Sequence, residues 1–103
     1  MVFDGSPVAV HEAVLDAAHL SSWDELVPAG KCLRIAAGVE GEGTGLLGRV
    51  IERTTGDEMD RAHADRAVAM RACVAIGAPR AVRIELRASA GKLEAVIGER
   101  VAD

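Results

Sequence analysis

The chain has 103 residues and a formal charge of -4; half of it is hydrophobic, 27% is charged, and it holds one Phe, one Trp and no Tyr. That apolar content excludes a disordered chain and that length excludes a second core beside the first. Net acidity and the want of aromatic stacking platforms argue against nucleic acid as a partner.

Taken in chain order, Ser6-Pro7 reads as an N-cap with proline in the first turn, and Val10, Val14, Ala17 and Ala18 then share one side of a helix ending near Leu20. Glu12, Asp16 and His19 fall on its other side. Ser21 to Gly30 is a connector closed by Pro28-Ala29-Gly30. Lys31 to Glu40 alternates Leu33, Ile35, Ala37 and Val39 with Cys32, Arg34 and Ala36, which predicts a strand with one buried face. Gly41 to Gly45 is a turn, and Leu46 to Arg53 fits either a strand or a short helix. Thr55 and Glu58 make a capping-box pair that opens a long helix to about Ile76, stopped by Gly77-Ala78-Pro79. Val82, Ile84 and Leu86 alternate with Arg83, Glu85 and Arg87, and Ser89-Ala90-Gly91 predicts a hairpin into Leu93 to Val101.

Gly45-Leu46-Leu47-Gly48-Arg49-Val50-Ile51 aligns with Gly91-Lys92-Leu93-Glu94-Ala95-Val96-Ile97, and Leu33-Arg34-Ile35 with Val82-Arg83-Ile84. The match favours a strand for Leu46 to Arg53 and a helix-strand-strand unit used twice, over about 6–53 and 55–101. The expected architecture is one α+β domain spanning residues 1–103, with two layers: a four-stranded antiparallel sheet carrying two helices on one face. Leu33, Ile35, Val82, Ile84 and Leu86 would face the helices, leaving Arg34, Arg83 and Arg87 on an open face.

Three patterns touch on chemistry. Gly43-Thr44-Gly45-Leu46-Leu47-Gly48 satisfies the dinucleotide fingerprint GxGxxG, but no apolar strand leads into it and Glu40 and Glu42 would meet the phosphate. Glu12, Asp16 and His19 have helical metal-ligand spacing, yet one helix rarely supplies a complete site, so no metal is expected. Arg66 falls in the apolar stripe of the long helix, formed by Met59, Ala62, Ala69, Met70, Cys73 and Ile76, with His63 on the same side. A guanidinium placed there requires a carboxylate, a partner subunit or an anionic ligand. No serine sits in a nucleophile elbow, and the cysteines Cys32 and Cys73 have no metal or redox spacing and are expected as reduced thiols.

These residues point to a non-catalytic, self-associating module that binds a partner protein or small ligand, with no cofactor. The candidates for ligand or interface contact are Arg66, His63, Arg34, Arg83 and Arg87. A small enzyme or ligand-responsive domain holding an anion between the repeats is the second expectation, and an accessory subunit of a larger complex the third. With no apolar span and no basic-then-apolar leader at Met1-Val2-Phe3, no membrane association and a cytoplasmic location are expected.

Overall fold

The computed structural model describes residues 9–102, which form eight β-strands and no α-helix. In chain order they are β1 (Ala9–Asp16), β2 (Ser21–Val27), β3 (Cys32–Glu40), β4 (Thr44–Glu52), β5 (Glu58–Ala64), β6 (Ala67–Cys73), β7 (Arg80–Ala90) and β8 (Lys92–Ala102). Every pairing is antiparallel, and the strands assemble as two four-stranded sheets, β1-β8-β3-β6 and β2-β7-β4-β5. This is the strand order of a jelly roll. Every connection except β4 to β5 carries the chain from one sheet to the other.

The α+β expectation is therefore wrong, and the helix-strand-strand units over 6–53 and 55–101 go with it. The segment read as the first helix is β1, and the long helix is instead β5 and β6, two strands in different sheets joined by a turn at Asp65 and Arg66; the Ser6-Pro7 cap lies outside the described residues. The reason is compositional. From Ala67 to Val74 the buried residues are Val68, Met70, Ala72 and Val74, a strict two-residue period. Ala67, Ala69 and Cys73 fill the other face with small apolar side chains, so the same stretch also satisfies a helical stripe. In β1 the helical reading placed Val10 and Val14 inside, whereas both are exposed and Leu15 is buried instead.

The hairpin expected through Ser89-Ala90-Gly91 into Leu93 to Val101 does not form, because β7 and β8 lie in different sheets. β3 does not pair with β4 but with β8, and β4 pairs with β7, so the two segments meet as a long double ribbon wound across both sheets. The ribbon crosses between sheets at Gly41–Gly43 on one strand pair and at Gly91 on the other. Here glycine is required: Gly41 and Gly91 have positive φ, and a Cβ on Gly43 would lie 2.6 Å from the Lys92 carbonyl oxygen and 2.8 Å from that of Ala90. The glycine-rich segment is a sheet corner followed by β4, which removes the helix N-terminus that a phosphate cradle needs.

The strand alternation expected for Leu33, Ile35, Val82, Ile84 and Leu86 is the one observed, but these residues face the opposite sheet rather than helices. With Leu15, Val27, Leu46, Val50, Leu93 and Ile97 they form the core between the two sheets. Its side chains are small, as the composition implies, and Met70 fills the space above Gly48.

Cys32 and Cys73 stand directly opposite in the β3–β6 register, with Cα atoms 4.0 Å apart, and are joined by a disulfide. Two reduced thiols were expected because their separation in sequence matches no motif. Pairing across strands that far apart is a property of the register.

Candidate functional site

The outer face of the β2-β7-β4-β5 sheet carries a groove of about 390 Å³ lined by Leu20, Leu47, Arg49, Arg61, His63, Glu85 and Arg87, among others. Register explains the gathering. Leu47 stands opposite His63 on one side and Arg87 on the other, and Arg49 stands opposite Arg61 and Glu85, so two adjacent cross-strand rows present four basic side chains. The second row is largely neutralised: Arg49 is ion-paired with Glu85, and Arg61 donates to both oxygens of Glu58 at 2.6 and 2.7 Å. This clamp holds the Glu58 carboxyl below the usual carboxylate range. The first row is not: among the described residues neither His63 nor Arg87 has a hydrogen-bond or ion-pair partner.

The remaining sequence candidates are dispersed. Arg83 lies on the same outer face but is engaged by Asp24, which also pairs with Arg53. Arg34 lies on the outer face of the other sheet, directly between Arg71 and Arg100, and none of these three guanidinium groups has a partner among the described residues. Arg66 corrects its own premise. It is exposed in the turn between β5 and β6 and donates to the Gly41 carbonyl oxygen at 3.0 Å, so no buried charge requires compensation. Glu12, Asp16 and His19 do not converge on one helical face, since Glu12 points outward from β1 and Asp16 caps the turn by accepting from the Ala18 amide.

A second cluster, which sequence reasoning missed, lies between the sheets where β1 and β2 meet. His11, Trp23, Glu25 and Glu99 occupy inward positions on β1, β2, β2 and β8. Their register neighbours Ile97, Ile84, Val82 and Ile35 are all core residues. Glu99 is 1% exposed, its Oε2 lies 3.1 Å from His11 Nε2, and its Oε1 accepts from the Trp23 indole N–H. Glu25 Oε1 is 3.6 Å from the same histidine nitrogen. Burial, reinforced by the Glu99 carboxyl alongside, pushes Glu25 up to about 7. The signal was present in the alternations His11-Ala13-Leu15, Trp23-Glu25-Val27 and Ile97-Glu99-Val101, each of which places a polar residue on an otherwise apolar face.

No family model matches the chain, and no curated protein matches it. The fold is common to unrelated functions, so the reading rests on the sites themselves.

Proposed function

We propose that the protein is a non-catalytic binding module that holds an anionic small molecule in the groove on the outer face of the β2-β7-β4-β5 sheet. The supporting observation is the His63–Leu47–Arg87 row, in which a guanidinium and an imidazole that have no partner among the described residues flank an apolar side chain. A carboxylate or phosphate fits between them by charge-assisted hydrogen bonds, and an apolar portion of the ligand lies over Leu47 and Leu20. Self-association is supported by Val10, Val14 and Val96, all exposed on the outer face of the other sheet near its β1 edge; a solution mass measurement tests it. No helix of the structure is long and apolar enough to cross a membrane. The Cys32–Cys73 bridge favours an oxidising compartment over the cytoplasmic one expected from the sequence.

Thermal melts with a panel of phosphates and carboxylates test the groove. A ligand at one hundred times its Kd stabilises by about 2.7 kcal/mol. Arg87→Gln should lose that response and keep the melting temperature of the unliganded protein, because its side chain is exposed. Arg34→Gln on the opposite face is the control. A response kept in Arg87→Gln and lost in Arg34→Gln, or no response from any member of the panel, refutes the assignment.

A further inference from the structure

We propose that His11, Glu25 and Glu99 bind one divalent transition-metal ion, with zinc the best match. Their ligating atoms, one from each side chain, all lie within 4.8 Å of one another. The separations of His11 Nε2 from Glu99 Oε2, 3.1 Å, and from Glu25 Oε1, 3.6 Å, bracket the spacing of about 3.3 Å between neighbouring ligands of a tetrahedral ion with bonds of about 2.0 Å. Three strands from both sheets supply the atoms, so the arrangement is built by the fold and not by a mobile loop.

Charge points the same way. Glu99 is a buried carboxylate opposite Ile35 and two positions from Ile97, a second carboxyl group stands beside it, and among the described residues no arginine pairs with either. Two carboxyl groups this close at a largely buried site repel one another when both are ionised, and the hydrogen bonds to Glu99 from the Trp23 indole and the His11 ring offset only part of that cost. An ion among the three atoms would remove the repulsion. The surroundings are those of a supported metal site. The Trp23 indole N–H occupies Glu99 Oε1 and leaves Oε2 toward His11, while the two rings pack with centroids 5.0 Å apart and fix the imidazole. His11 and Glu25 are about one-third exposed, which gives the ion a path in and leaves its remaining position to water. One imidazole with two carboxylates suits zinc better than calcium or magnesium, which take six or more oxygen ligands or keep most of their waters.

The test is isothermal titration of the full chain with zinc chloride after chelator treatment and dialysis. Thiol reductants are left out because freed cysteines would themselves bind zinc. The expected result is one ion per chain. Binding should weaken at least tenfold in both His11→Gln and Glu25→Gln, where the partly exposed positions leave folding intact, and should be unchanged in His63→Gln. Glu99→Gln keeps the acceptor for Trp23 and should lose binding as well; circular dichroism checks its fold, and the first two variants decide the matter if it unfolds. No binding in wild type, equal binding in His11→Gln, loss in His63→Gln, or tighter binding of calcium than zinc would each overturn the proposal.

Discussion

Reducing the Cys32–Cys73 bridge should cost this protein a large part of its stability. The bridge joins residues 41 apart, so in the unfolded chain it closes a loop that runs from the start of β3 through β4 and β5 to the end of β6. The loop-closure relation gives an entropy loss of about 13 cal/mol/K for that length, or about 4 kcal/mol at 25 °C. Native domains of this size are stable by about 5–15 kcal/mol in total. The melting temperature should therefore fall by roughly 15–30 °C. Urea unfolding of the oxidised protein, the protein in reductant and the Cys32→Ala/Cys73→Ala double variant measures the effect. The reduced and double-variant proteins should agree with each other. Both should also show a steeper denaturant dependence than the oxidised protein, because an uncrosslinked denatured chain exposes more surface. Mass spectrometry after alkylation establishes that both thiols are free in the reduced sample. If that sample unfolds at the same urea concentration as the oxidised one, the cross-strand pairing and the register that produces it are wrong.

Arg34 stands directly between Arg71 and Arg100, and among the described residues no acid pairs with any of the three, so Arg34→Thr should raise stability by about 0.5–1 kcal/mol at low salt, and the gain should shrink in 0.5 M sodium chloride. A loss that is independent of salt would show that the arginine stem is packed. Gly48→Ala should destabilise by about 1–3 kcal/mol, since the new Cβ would stand 2.8 Å from Met70 Cε and 2.9 Å from Leu86 Cδ2; combining it with Met70→Ala should recover part of the loss if the clash is the cause. Glu52 is held below its ordinary range by the Thr55 hydroxyl and then by Arg80. Its contribution is present above about pH 4.5 and is lost as the pH falls through its depressed value. Glu52→Gln should accordingly flatten the acid limb of a stability-against-pH curve and leave its slope above pH 5 unchanged.

Local features were legible without the fold. Leu33 and Ile35, and Val82, Ile84 and Leu86, alternate with polar residues, and the chain can satisfy that pattern only by burying one face of a strand. The glycines at 41, 43 and 91 mark the corners because a side chain there would strike backbone or strain φ. The helices were misread where alanine and valine occupy both faces. Period then ceases to discriminate, and Val68, Met70, Ala72 and Val74 declare themselves a strand only against an opposing sheet. Pairing lay beyond reach for a different reason. Whether Ile35 lies beside β4 or β8 depends on how the chain winds, and an antiparallel ladder is equally satisfied by either neighbour until the whole sandwich is closed. The disulfide, the His63–Leu47–Arg87 row and the His11–Glu25–Glu99 cluster all rest on that winding, since each is assembled from different strands at a common height. Glu99 and Trp23, 76 positions apart, become neighbours only because β8 and β2 face each other across the core.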